Sequence, residues 1–331
     1  MKEEDKKGDR IITKYPCDTP IVIPSLKRYT KHKKPTMMID ACLKDLFRYY
    51  DATSVHVVAQ EYEEADKKEL QEKYPIVKFY WYEKRMGIIN TFNVVKTLGC
   101  SLGECYFHKD DDTKFAQQFD DNPTLLAMVH VMKTLPSRVG IVTVPSISIH
   151  HFSKYSTKFI NVHGNPAQLV LINSAAAKTC TYDSQFENFR SDTDFTMQIA
   201  SKGFVPIMVS RYFSFMHTIP LAKLDIDKEG KRKFKTLDNV TESRGSIGGD
   251  RRMEMRIKEF DAFSKKWPKV ITMKSYRQQV LKKSITYLSK YTEHELQYLT
   301  DNFDYSLIKN FHEEYYGKDT PEALTYNKLF G

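Results

Sequence analysis

The chain has 331 residues, 41% hydrophobic and 13% aromatic, enough for one large globular domain or two modest ones. Its 51 Lys and Arg outweigh 42 Asp and Glu to give a formal net charge of +9, which suits a polyanionic partner such as nucleic acid, or a nucleotide-sugar substrate. No stretch approaches the roughly 20 apolar residues of a membrane-spanning helix, the charged start MKEEDKKGDR lacks the apolar core of a secretory signal, and the scattered Cys17, Cys42, Cys100, Cys105 and Cys180 contain no C-x-x-C pair, which argues against a disulfide framework or zinc site and for a reducing, cytoplasmic setting.

Residues 1–18 read as a flexible tail. Thr19 to Ser25 reads as a first strand ending at Pro24, followed by a basic loop from Leu26 to Lys34 that includes Lys27 and Arg28. Pro35 suits a helix start, and Met38, Cys42, Leu43 and Leu46 recur at helical spacing. Val55 to Ala59 is a second strand, Glu63 to Tyr74 a polar helix and Val77 to Tyr82 a third strand. Ile88 to Leu98 reads as a helix closed by Gly99 as its cap. Strands alternating with helices predict an α/β fold: a Rossmann-type, mostly parallel sheet flanked by helices, with its site at the strand C-termini. The loops 24–34, 60–62, 83–87 and 110–112 all fall on that edge.

The run Cys105-Tyr106-Phe107-His108-Lys109-Asp110-Asp111-Asp112 passes from strand residues into three carboxylates. Three adjacent Asp repel one another too strongly to sit inside a sheet, so the strand is expected to open into a polar cleft. Asp110 and Asp112 have the D-x-D spacing, and oxygen ligands of that kind suit a hard cation, Mg²⁺ or Mn²⁺, which in turn would hold a diphosphate. The plain alternative is an acidic loop or helix start. His108 alternates with Phe107 and reads as a core or sheet-face residue rather than a ligand.

Beyond this point Asn122 to Leu135 looks helical, Val139 to Val144 and Ala167 to Ile172 look extended, and Ile149 to Asn165 reads as a long loop. That loop mixes His150, His151, Lys154 and Tyr155, charge and flat rings of the kind that meet a phosphate backbone and an unstacked base. Asp192 and Asp194 precede an apolar helix that starts at Phe195 and ends at Gly203. One of them could take the proton from an acceptor hydroxyl, and the competing reading is a helix cap with the other Asp in the first turn. Phe204 to Val209 and Tyr212 to Met216 have strand character up to His217. Residues 225–252 read as a mobile basic loop, in which Gly248, Gly249 and Arg251 could close over a diphosphate. From about 275 the chain reads as a helical extension, with Val280, Ile285, Leu288 and Tyr291 on one face.

The landmarks in order are Pro24-Ser25, the basic turn, Gln60-Glu61-Tyr62, Arg85-Met86-Gly87-Ile88-Ile89-Asn90, Asp110-Asp111-Asp112, Ser191-Asp192-Thr193-Asp194-Phe195, the Gly-bearing loop 245–250 and Trp267-Pro268. This order is similar to the GT-A glycosyltransferases, and within them resembles the TET/JBP-associated, phage DNA base-modifying family, over roughly residues 20–275. The sequence departs from that pattern where Phe92-Asn93 stands in place of Arg-Asn and Ser191-Asp192 in place of Glu-Asp. The resemblance implies a catalytic domain over 19–274, with a donor half to about 115 and an acceptor half beyond it, followed by the extension 275–331. It implies transfer of a sugar from a nucleotide-diphosphate donor, UDP above all, to a hydroxyl of a 5-hydroxymethylated pyrimidine in DNA. Asp110, Asp112 and His217 would then hold Mn²⁺ or Mg²⁺, and Asp192 is favoured over Asp194 as base. Pro24, Ser25, Lys27, Arg28, Gln60, Arg85, Asn90, Asp111, Gly248, Gly249 and Arg251 would serve the donor, and His150, His151, Lys154 and Tyr155 the acceptor. Two rivals remain: the same enzyme class with a glycan, lipid or protein acceptor, and a non-catalytic nucleic-acid-binding α/β module.

Overall fold

The computed structural model describes residues 14–30, 35–115, 124–134, 136–137, 139–144, 160–162, 168–187, 191–209, 216–218, 221–226, 232–236 and 249–267. The strands are β1 (Tyr15–Cys17), β2 (Ile21–Leu26), β3 (Tyr29–Thr30), β4 (Tyr50–Ala52), β5 (Val55–Gln60), β6 (Val77–Tyr82), β7 (Cys105–Lys109), β8 (Thr113–Phe115), β9 (Val139–Thr143), β10 (Ile160–Val162), β11 (Leu169–Asn173), β12 (Val205–Val209), β13 (Met216–Thr218), β14 (Leu221–Ile226) and β15 (Arg232–Thr236). The helices are α1 (Met38–Tyr49), α2 (Glu64–Lys73), α3 (Ile88–Leu102), α4 (Thr124–Thr134), α5 (Ser174–Ala177), α6 (Ser191–Ser201) and α7 (Gly249–Lys266).

An eight-stranded sheet in the order β10-β12-β9-β11-β7-β2-β5-β6 carries the fold. The half containing β7, β2, β5 and β6 is parallel throughout, as the alternation of strands and helices predicts. The other half is mixed. β11 runs antiparallel to both β7 and β9, and β10 antiparallel to β12. Period-two alternation splits each strand between two cores. Ile21, Ile23, Val55, Val57, Phe107 and Leu171 face the side covered by α1, α2 and α4, where Leu43, Leu46, Leu70 and Met128 pack. Val22, Val58, Tyr106 and Ile172 face the opposite side, against Val95 of α3, Ala176 of α5 and Phe195 and Ile199 of α6. Among the described residues no helix is long and apolar enough to cross a membrane.

Four local expectations change. The chain enters the fold before residue 19, because β1 pairs in parallel with β4. Gly99 does not cap α3. It lies inside the helix, which runs on to Leu102, and a Cβ there would stand 2.3–2.4 Å from ring atoms of Tyr106. The glycine is required by the close approach of α3 to β7, not by a helix end. Asp192 and Asp194 lie within the first turn of α6 rather than ahead of it. The segment read as a mobile loop from 225 to 252 takes in the end of β14, all of β15, which pairs with β14, and the start of α7. The helical extension from 275 lies outside the described residues.

Two small sheets bring distant segments to the C-terminal edge of the parallel half. β13 pairs with β8, which sets residue 217 opposite Lys114, two positions after Asp112. β14 pairs with β3, just after Arg28.

Candidate active site

The three aspartates that follow β7 diverge, and their exposures separate their roles. The side chain of Asp110 is 35% exposed, that of Asp112 23% and that of Asp111 only 2%. Asp111 therefore faces the interior. One oxygen accepts from Ser25 Oγ at 2.7 Å and the other from Arg28 Nη2. Ser25 Oγ also lies 2.7 Å from the hydroxyl of Tyr62. Glu61, at φ 62° in the left-handed region, makes the turn that sends Tyr62 inward to meet Ser25. Ser25, Tyr62, Arg28 and Asp111 thus lock the ends of β2, β5 and β7 together.

Arg28 reaches outward as well, with Nη1 3.5 Å from Asp112 Oδ2. The surrounding carboxylates push its already high pKa further up, so the guanidinium is a permanent cation at the rim of the acidic turn. Asp110 sits on the other side. Burial, and then the charges of Asp112, Asp192 and Asp111, hold its carboxyl well above the usual carboxylate range. Asp192, from the first turn of α6, is therefore brought into the electrostatic field of Asp110 although 82 positions separate them in the chain. Tyr182 feels the charge of both. Its hydroxyl is pushed up by burial and by Asp192 and Asp110, and its ring stacks on Phe195 at 4.2 Å. Carboxylates whose fields overlap in this way favour a cation beside them.

His108 was expected to be a core residue, and it is buried against Phe92 with ring centroids 4.9 Å apart. Its Nε2 nevertheless has no hydrogen-bond partner among the described residues and lies 3.7 Å from Asp110 Oδ1. Burial pushes its pKa down to about 4, so the ring beside Asp110 is neutral.

Asp192 and Asp194 separate clearly. Asp194 is fully buried and accepts from Gln198 Nε2 at 2.7 Å, Lys266 Nζ at 3.0 Å and Trp267 Nε1 at 2.8 Å. Lys266 also bridges to Asp183 at 2.9 Å. Asp194 fastens the end of α7 to the start of α6, while Asp192 is half-buried on the side of Asp110.

The other expected donor residues are placed as follows. Lys27 pairs with Glu63 at 2.9 Å and Asp66 at 2.7 Å at the head of α2, so its charge is neutralised within the protein. Gln60 donates to Thr91 Oγ1 at 3.0 Å and accepts from the Met86 amide at 2.8 Å, clasping the 83–87 loop to α3. Asn90 donates to the Met86 carbonyl, and Arg85 is exposed on the same loop. Pro24 lies half-buried in β2. Gly249 and Arg251 belong to the first turns of α7. His217 is in β13 by its backbone. Gly248, His150, His151, Lys154 and Tyr155 lie outside the described residues. Sequence reasoning named Tyr62 only within the Gln60-Glu61-Tyr62 landmark and gave no role here to Tyr182, Lys109 or Lys266. The one available signal was Lys109, a lysine between a strand and an acidic run.

Among the described residues no three His, Cys, Asp or Glu side chains already form a metal-binding group. The donor chemistry of Asp110 and Asp112 still fits a hard divalent ion: both are partly exposed carboxylates, one of them destabilised as an anion by its neighbours.

No family model and no curated protein matches the chain. The solved structures it is similar to include the mannosyltransferase PcManGT from Pyrobaculum calidifontis in complex with GDP-Man and Mn²⁺, at 14% identity and a TM-score of 0.49 over 89% of this chain and 77% of that one. Another is GalNAc-T7 with UDP, GalNAc and Mn²⁺, at 10% identity and a TM-score of 0.45 over 88% of this chain and 58% of that one. A third is S. aureus TarS, at 13% identity and a TM-score of 0.41 over 60% of this chain, which spans only 36% of the TarS chain. These likenesses concern the overall fold alone.

Proposed function

We propose that the protein is a metal-dependent glycosyltransferase of the GT-A type that moves a sugar from a nucleotide-diphosphate donor to a hydroxyl acceptor. The observation that carries this reading is the placing of Asp110 and Asp112 at the C-terminal edge of the parallel strands within the electrostatic reach of Asp192, with Asp110 held above the usual carboxylate range by burial and then by its charged neighbours. Asp110 and Asp112 would hold Mn²⁺ or Mg²⁺, and residue 217 enters beside them through its pairing with β8. When bound, the ion would neutralise the diphosphate as it leaves. Arg28 stands ready to exchange its contact with Asp112 for a phosphate oxygen, because a guanidinium matches either anion. Asp192, half-buried and within the electrostatic field of Asp110, takes the proton from the acceptor hydroxyl.

The acceptor we favour is a 5-hydroxymethylated pyrimidine in DNA, and the donor UDP-linked. The support is the order of motifs shared with the DNA base-modifying family and the net charge of +9. The decisive experiment is turnover of a panel of nucleotide sugars with Mn²⁺, with and without hydroxymethylcytosine DNA, for the wild type and Asp112→Ala. DNA-stimulated turnover of one donor, lost in the variant, is expected. Donor turnover that DNA does not stimulate would keep the enzyme class and redirect the acceptor to a glycan, lipid or protein. Absence of metal-dependent turnover, with DNA affinity intact in both proteins, would leave a nucleic-acid-binding module.

A further inference from the structure

The last residue of β7, Lys109, is fully buried directly behind the acidic turn. Burying an ammonium costs several kcal/mol unless its protons are satisfied and opposite charge is near. Among the described residues Lys109 makes no ion pair. Its Nζ reaches Cys42 Sγ at 3.0 Å, the carbonyl of Asp110 at 3.3 Å, Thr113 Oγ1 at 3.3 Å, and the carbonyl of Thr113. It lies 5.9 Å over the ring of Phe115, and Thr113 Oγ1 donates back to the Asp110 carbonyl at 2.8 Å. One cation therefore ties the first and last residues of the turn 110–113 together from inside. Asp45 fixes the chain just beyond, accepting from the Phe115 amide at 2.6 Å.

A methionine would fill this space without the cost of a buried charge, so what the ammonium adds is geometry and field. It draws two carbonyls inward, which turns the side chains of Asp110 and Asp112 toward the rim. It also stands behind three like charges that otherwise repel one another. Arg28, by contrast, approaches Asp111 and Asp112 from the rim.

We propose that Lys109 is a positioning residue that holds the 110–113 turn in the shape in which Asp110 and Asp112 receive a divalent cation. The identity of the bound group rests on the glycosyltransferase reading, whereas the shaping of the turn does not. Lys109→Met keeps the packed stem and removes the donors. Thr113→Val is a milder second variant that removes the hydroxyl bridging Lys109 to the Asp110 carbonyl.

Two measurements on the full-length protein test this. Amide hydrogen exchange is expected to rise about tenfold at residues 110–113 in Lys109→Met, with the rest of β7 unchanged. Mn²⁺ affinity, read by electron paramagnetic resonance with the metal alone, is expected to fall about tenfold. Thr113→Val is expected to move both in the same direction by less, and it decides the matter if Lys109→Met does not fold. Exchange at 110–113 and Mn²⁺ affinity both within about twofold of wild type would overturn the proposal. Wild type that fails to bind Mn²⁺ would overturn the glycosyltransferase reading instead, and exchange at the turn would then judge Lys109 by itself.

Discussion

The indole N–H of Trp267 donates to Asp194 across 2.8 Å, joining residues 73 positions apart. Lys266 binds the same carboxylate and Phe186 packs on Phe263 beside it, so the end of α7 is fastened to the first turn of the helix that carries Asp192. Position 194 is thereby a fastening point.

The latch has a measurable worth. A charge-assisted hydrogen bond contributes about 1.5–3 kcal/mol, and its loss leaves a buried partner unsatisfied. Trp267→Phe is expected to lower unfolding stability in urea by about 2 kcal/mol, and Asp194→Asn by at least as much. A value near zero for both would mean that α7 is held by apolar contacts alone.

Asp192 should behave in the opposite way. With donor and acceptor established, Asp192→Asn is expected to lower kcat by about 10²–10⁴-fold, the usual worth of a general base, at nearly unchanged donor KM and stability. An Asp192→Asn enzyme that turns over at the wild-type rate would remove it from the mechanism.

Gly99 offers a test of the packing between α3 and β7. In a helix interior, Gly→Ala normally stabilises by about 1 kcal/mol. Here the added methyl would stand 2.3–2.4 Å from the Tyr106 ring, and that ring is fully buried. Overpacking of this kind costs about 1–3 kcal/mol, so Gly99→Ala is expected to lower the melting temperature. A rise in melting temperature would show that Tyr106 yields freely.

The neutral His108 makes a prediction about pH. Its pKa falls from 6.5 to about 4 on burial, so the unfolded chain binds its proton first as the solution is acidified. The stability it contributes is complete above pH 6.5 and drains away as pH falls toward 4, by up to about 3 kcal/mol. Asp110 acts in the opposite sense, because its raised pKa favours the folded state at low pH and loses that contribution as pH rises. Comparing His108→Phe with wild type isolates the first effect. The variant, which keeps an aromatic ring against Phe92, is expected to lose less stability than wild type between pH 6.5 and 4. Parallel curves for the two proteins would show that the ring is protonated in the fold.

The sequence by itself determined the parallel half of the sheet, the helices of residues 38–115 and the acidic turn after β7. These follow from local periodicity: alternation of two for strands, 3.6 for helices, and the repulsion of three adjacent carboxylates. It also held Asp192 and Asp194 in view, with Asp192 favoured as base through the family resemblance alone. The burial of Asp194 and its ties to residues 266 and 267 came only with the tertiary structure, because those partners lie 72 and 73 positions further along the chain. The same holds for Gly99, whose purpose is a ring on the next strand, and for Lys109, which looks like a surface charge until α1 and β8 close around it. Asp111 shows the reason most directly. Three identical side chains in a row have the same local propensities, and what makes one a buried anchor and the others partly exposed is the arrival of Ser25 from β2 and Arg28 from the turn after it, 86 and 83 positions away.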